Sequence, residues 1–128
     1  MGNGTSIGRV RGQGSAHSGT HHWLVQRFTA IGNLVLGLWL AFSLLRLPNY
    51  SYTSVIDWIG HPLAGTAVGL FVLSSFWHAR LGLQVLVEDY VHEHANKFAC
   101  MALLNPATFA GAGLGLVSVI RLVLGAHQ

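Results

Sequence analysis

Between Arg27 and Arg46 the sequence runs FTAIGNLVLGLWLAFSLL, residues 28–45, eighteen positions without a charge. A membrane crossing needs about 20 predominantly apolar residues. The two flanking arginines can carry their guanidinium groups outward to water along their aliphatic stems. The run therefore predicts a first membrane span over about residues 27–47. Working outward, 22 uncharged residues lie between Asp57 and Arg80, and the apolar pattern continues through Leu81, Leu83, Val85, Leu86 and Val87. Pro62 stands where a helix accepts its first residue, so a second helix is expected over 62–90. It would be roughly 40 Å long at 1.5 Å per residue, enough to tilt or to project beyond the hydrocarbon. A third run, 23 uncharged residues between Lys97 and Arg121, predicts a span over about 98–122, with a kink at Asn105-Pro106.

Composition agrees with an all-α membrane protein of three transmembrane helices. Of 128 residues 52% are hydrophobic and only 9% are charged, against roughly a quarter charged in soluble domains. The formal charge of +3 is the balance of seven Lys and Arg against four Asp and Glu, and the basic residues are scattered along the chain. They form no patch of the kind that neutralises phosphates, which excludes nucleic-acid binding as a main role. A single cysteine, Cys100, excludes an internal disulfide and any multi-cysteine zinc or iron–sulfur site. Residues 1–20 hold six glycines, with Ser, Thr, Arg9 and Arg11, and are expected to be a disordered polar arm before a three-helix domain over 21–128. The start Met1-Gly2-Asn3-Gly4-Thr5-Ser6 fits the N-myristoylation pattern, although a protein with three crossings needs no lipid anchor. Gly65 and Gly69, and Gly111 and Gly115, have the spacing that lets membrane helices approach closely; glycine is also simply common in such helices.

Arg9, Arg11, Arg27 and Lys97 fall on the side of the N-terminus and second loop, and Arg46 and Arg121 on the other. The excess of positive charge puts the N-terminus on the cytoplasmic side, or on the matrix side in a mitochondrion. Trp23 and Tyr90 would mark that interface, and Tyr50, Tyr52 and Trp58 the opposite one.

Ionisable groups within a span are costly and so are candidates for function. His78 and Asp89 lie eleven residues apart, which returns to within about 20° of the same helix face and about 16 Å further along the axis. Tyr90 follows at the interface, where its phenol can donate a hydrogen bond to a polar ligand head. His78 reads either as a hydrogen-bonded packing residue between helices or as an axial haem ligand. Neither the first nor the third uncharged run contains a histidine, and His61 is seventeen residues away on the same helix. A second histidine ligand would therefore come from another chain. Arg27 reads either as a flank residue reaching for water or as the partner of an anionic group such as a haem propionate. Arg80 is open in the same way. His21, His22, His92 and His94 fall in polar segments without metal-ligand spacing on one rigid element, and His92 and His94 read as solvated.

The run His78-Ala79-Arg80-Leu81-Gly82-Leu83-Gln84-Val85-Leu86-Val87-Glu88-Asp89-Tyr90 resembles the H-A-x-x-G-x-x-x-x-x-x-D-Y segment of the smaller hydrophobic anchor subunit of succinate dehydrogenase, respiratory complex II. Arg27-Phe28-Thr29-Ala30-Ile31, with His21 six places earlier, is similar to that subunit's approach to its first helix. The larger cytochrome b subunit carries a Ser-rich, His-Arg signature before its first helix, which this sequence lacks.

The resemblance implies a bundle shared with a partner anchor, the cytochrome b subunit, which together hold one b-type haem and bind the flavoprotein and iron–sulfur subunits to the membrane. It implies His78 as this chain's axial ligand to the haem iron. Tyr90 would hydrogen-bond a carbonyl of ubiquinone, Asp89 would support that pocket, and Arg27 with His21 would lie near the propionates or the pocket. Electrons would pass from the iron–sulfur subunit to ubiquinone, in a bacterial inner membrane or the mitochondrial inner membrane. Succinate itself would be oxidised elsewhere, because this chain has no flavin or dicarboxylate site. Arg80 stands where the family often has an apolar or aromatic residue, and would tune the haem electrostatically. The alternatives are the anchor of a fumarate reductase, and a three-helix packing or transport protein in which His78, Arg80 and Asp89 line a polar seam without a redox centre.

Overall fold

The computed structural model describes residues 19–125. Four helices follow in order: α1 (Gly19–Leu45), α2 (Tyr52–Gly60), α3 (Pro62–Tyr90) and α4 (His94–Gly125). Residues 1–18 of the expected polar arm lie outside the described residues, and its last two, Gly19 and Thr20, open α1. Three helices, α1, α3 and α4, are long and apolar enough to cross a membrane. The chain is an all-α membrane protein with three spans.

α3 has the expected bounds because its ends are chemically marked. His61 caps it, with Nδ1 accepting the backbone N–H of Leu63 at 3.3 Å, and Pro62 follows in the first turn. At the other end the N–H of Val91 closes on the carbonyl of Val87, and the Lys97 ammonium donates to the carbonyl of Glu88 at 3.1 Å. A cation there complements the negative end of the helix. α1 and α4 begin ahead of their uncharged runs, since no proline or glycine interrupts the backbone from Thr20 to Arg27 or from Ala95 to Phe98. α4 also runs through Pro106 without ending. The proline removes the N–H that would reach the carbonyl of Ala102, yet the helix continues on both sides.

The short helix α2 lies in a stretch whose aromatics suggested only an interface. Its start is a turn chemistry of side chains: Asn49 Oδ1 accepts from the N–H of Ser51 at 3.0 Å and from Oγ of Ser54 at 2.8 Å, and Ser51 caps the helix. Trp58 donates from Nε1 to Oγ of Ser43 at 2.7 Å, which ties α2 back to the end of α1.

α3 is central. α1 packs along one side of it and α4 along the other, α2 packs on α3 and α4, and among the described residues the backbones of α1 and α4 do not approach each other closely. Both outer helices run antiparallel to α3. Thr29, Gly32 and Gly37 of α1 face His78, Ser74 and Phe71, while Gly111 and Gly115 of α4 face Phe76 and Val72. A Cβ added at Gly65 would come within 2.7 Å of the Val123 methyl and 2.8 Å of the Ile59 carbonyl oxygen, and at Gly115 within 2.7 Å of Val72. The two glycine pairs are thus contact surfaces between α3 and α4. Few apolar residues are buried, among them Leu40, Ala64, Leu81 and Val119, while Phe28, Leu34, Phe42, Leu103 and Leu114 face outward. Outward-facing apolar side chains suit helices whose surroundings are lipid tails or further helices.

Candidate functional site

The face of α1 that meets α3 carries His22, Gln26, Thr29 and Asn33, polar residues at the i, i+4, i+7, i+11 spacing of one helical stripe. Nε2 of His22 and Oδ1 of Asn33 are buried and have no hydrogen-bond partner among the described residues. Between them in the stripe, Thr29 Oγ1 lies 3.0 Å from Nδ1 of His78. The same oxygen lies 2.9 Å from the carbonyl of Val25 and 3.0 Å from that of Gln26. His78 is half-buried, and Thr29 is the only partner of its ring among the described residues, which leaves Nε2 free.

Thr29 also lines an open apolar cavity of about 400 Å³ between the helices, with Leu73, Ser74 and Trp77 of α3 and Thr108 and Phe109 of α4. Trp77 meets Phe109 edge to face, ring centres 6.3 Å apart. His78 is not among the residues that line this cavity; it is joined to it through Thr29, its hydrogen-bond partner, and Trp77, its chain neighbour. No group of three or more metal-ligating side chains occurs among the described residues.

The other singled-out residues separate into two levels. Arg27 lies two residues before Thr29, about 3 Å along the axis, and its guanidinium stacks over the Trp23 ring at 5.1 Å. It is close to the level of His78 but exposed, about 200° round α1 from Thr29 and so on the face turned away from α3. His21 is exposed, about 12 Å from Thr29 toward the same end as Tyr90. Asp89 and Tyr90 end α3, about 16 and 18 Å beyond His78. Tyr90 is 77% exposed, and neither residue has a side-chain partner among the described residues, since Glu88 rather than Asp89 receives the Gln84 amide, at 2.9 Å. Tyr90 and Asp89 are both available to a group from outside the chain.

Arg80 donates from Nε to Oδ1 of Asn105 at 2.8 Å, and its guanidinium stands 5.2 Å over the Trp77 ring. This arginine ties α3 to α4. His61 caps α3, and His92 and His94 are exposed near the connection to α4. Apolar periodicity alone passes over Thr29, His22 and Asn33; the signal for them is the polar stripe within an otherwise apolar run.

A family described as the succinate dehydrogenase/fumarate reductase transmembrane subunit matches residues 1–119. The chain belongs to this family. It is 31% identical over 118 residues to the succinate dehydrogenase hydrophobic membrane anchor subunit of Rickettsia bellii, covering 92% of this chain and 89% of the relative. The subunit of the same description from Rickettsia conorii is 36% identical over 89 residues, 69% of this chain and 71% of its own length. That of Paracoccus denitrificans is 26% identical over 120 residues, 88% and 93% of the two chains. No solved structure matches. The family is one of membrane subunits of succinate dehydrogenase or fumarate reductase, the relatives named are succinate dehydrogenase anchors, and the similarity extends over most of the chain.

Proposed function

We propose that this chain anchors a succinate dehydrogenase in the membrane, gives one axial histidine to a b-type haem and forms part of the ubiquinone site. The relatives' descriptions name succinate dehydrogenase, which favours that reading over a fumarate reductase anchor. The single observation that carries the haem assignment is His78, half-buried against α1 with Nδ1 engaged by Thr29 and Nε2 unengaged among the described residues. A haem bound there supplies a one-electron carrier. A second histidine for that haem would come from a partner subunit, since His22 sits about 10 Å along α1 from Thr29 and His61 already caps α3. The partner is the cytochrome b subunit, and the iron–sulfur and flavoprotein subunits bind on the Tyr90 side. That side faces the cytoplasm or the mitochondrial matrix, across the bacterial or mitochondrial inner membrane.

Arg27, close to the level of His78, supports the carboxylates of the haem edge. At the end of α3 the Tyr90 phenol donates to a quinone carbonyl oxygen and stabilises negative charge as it develops there. Asp89 supports the pocket, and His21 adds a polar group at the same end. Protons reach the quinone from the aqueous side, so none has to cross the apolar part of the bundle.

The Thr29–His78 bond also supports the second reading, in which His78 only joins two helices. A dithionite-reduced minus oxidised visible spectrum of the purified complex, with a His78→Ala variant beside it, decides between them. A b-type α-band that co-purifies with a flavoprotein and an iron–sulfur protein, and is lost or shifted in the variant, supports the ligand. An unchanged band returns His78 to helix packing. A Tyr90→Phe variant is expected to lose quinone affinity and quinone reductase activity, and wild-type values would remove Tyr90 from the pocket.

A further inference from the structure

The three close neighbours of Thr29 Oγ1 determine where the proton of His78 resides. A threonine hydroxyl has one hydrogen and two lone pairs. The carbonyl oxygens of Val25 and Gln26, 2.9 and 3.0 Å away, can only accept. With the hydrogen shared between them as a three-centre bond, both close oxygen–oxygen contacts are favourable and the lone pairs face Nδ1 of His78 at 3.0 Å. Turned the other way, the hydroxyl would point its hydrogen at the ring and leave two carbonyl oxygens against bare lone pairs. Nδ1 is therefore the donor. A neutral imidazole carries one N–H, so Nε2 bears a free lone pair.

We propose that Thr29 is a positioning residue for His78: it holds the ring as the Nδ1–H tautomer and presents a bare Nε2 to the haem iron. This rests on the reading of His78 as an axial ligand. The same helix supplies an opposite case, since Nδ1 of His61 accepts the Leu63 N–H at 3.3 Å and the ring proton must then sit on Nε2. The histidine that caps α3 and the one within it are thus set in opposite tautomers by their local partners, and His78 has the form with Nε2 open to a metal. The Thr29 bond also limits rotation of the ring, and a hydrogen bond at the far nitrogen raises the basicity of a ligating histidine. Donation by the hydroxyl to two carbonyls polarises it and strengthens its acceptance from Nδ1.

The test uses Thr29→Val, which keeps the shape and removes the hydroxyl, and Thr29→Ser, which restores it. In the full chain without haem, reconstituted in bilayers with ¹⁵N-labelled histidine, the His78 signals are isolated by difference against His78→Ala. Wild type and Thr29→Ser are expected to show a protonated Nδ1 and a bare Nε2, and Thr29→Val a shift toward protonated Nε2. In the assembled complex Thr29→Val is expected to bind haem about 10-fold or more weakly, and the haem that remains to have a more positive midpoint potential, because its ligand donates less charge; Thr29→Ser restores both. Protonated Nε2 in the wild-type chain, or a tautomer and potential unmoved by Thr29→Val, overturns the role of Thr29 while leaving the ligand reading intact. A complex without haem, with the tautomer as expected, overturns the ligand reading instead.

Discussion

The two sides of α3 are built on different principles. Toward α4 side chains rest directly on glycine: a methyl group at Gly65 would strike Val123 of α4, as well as the carbonyl of Ile59 in α2, and one at Gly115 would strike Val72. Toward α1 there is more room. A Cβ at Gly32 would lie 3.8 Å from Oγ of Ser74, an ordinary contact, and the specific link is the polar pair Thr29 and His78. Without a hydrophobic force between helices in lipid, close packing and interhelical hydrogen bonds are what remain to hold them. The α4 side relies mainly on the first, with one hydrogen bond added, from Arg80 to Asn105. On the α1 side the polar stripe leaves His22 Nε2 and Asn33 Oδ1 buried without partners among the described residues, a cost that packing alone does not explain. The difference sets a closely packed side of α3 against one that carries a stripe of polar groups.

The largest break in that comparison is expected from Gly65→Ala. Because the neighbour is partly backbone, which cannot rotate aside, overpacking should cost about 1–3 kcal/mol. Reversible unfolding of the full chain in mixed micelles measures it, and a change within about 0.5 kcal/mol, as for an ordinary surface site, would refute the close approach. Somewhat smaller is the effect of Asn105→Ala, which removes the acceptor of Arg80. A half-buried guanidinium that loses a hydrogen bond is expected to cost about 1–2 kcal/mol by the same assay, and Arg80→Leu in the same background should then restore stability. An additive double variant would show that the bond between α3 and α4 carries no coupling.

Much of the scaffold was legible in the charge pattern. Eighteen residues or more without a charge can be stable in few settings other than a bilayer, and the His61-Pro62 start and the Val91 stop of α3 are local signals. α2 was not legible, because its start depends on how Asn49, Ser51 and Ser54 bond to one another, and such turn chemistry is hard to weigh in a loop. The glycine pairs were visible as spacing, but only packing shows that they are used. At the site, His78, Asp89 and Tyr90 stood out by family resemblance and by charge within a helix. Thr29 did not, since a threonine in an apolar run normally satisfies itself on its own backbone; here it does so and also reaches α3. The link from Arg80 to Asn105 joins residues 25 positions apart, and nothing in the local sequence of either shows it.

A smaller effect is expected at the α2 end. Ser43→Ala removes the acceptor of Trp58 Nε1, and hydrogen bonds within membrane proteins average about 0.6 kcal/mol. The Trp58 emission should shift even where the change in stability is slight, and unchanged emission and stability together would remove this tie between α1 and α2.

The smallest effect, and the sharpest control, is Gly32→Ala. In a water-soluble helix the substitution would stabilise by about 0.4–1 kcal/mol, because alanine leaves the unfolded chain fewer conformations. In a bilayer the separated helices stay helical, since no water is present to satisfy their backbone groups, and most of that entropic gain is lost. The methyl group meets only Ser74 at van der Waals distance, so a change within about 0.5 kcal/mol is expected, against the larger loss at Gly65. Because the substitution is the same at both positions, differences in helix propensity largely cancel and the contrast reports packing. Equal losses would mean that α1 sits on α3 as closely as α4 does, and the division between a packed side and a polar side would fail.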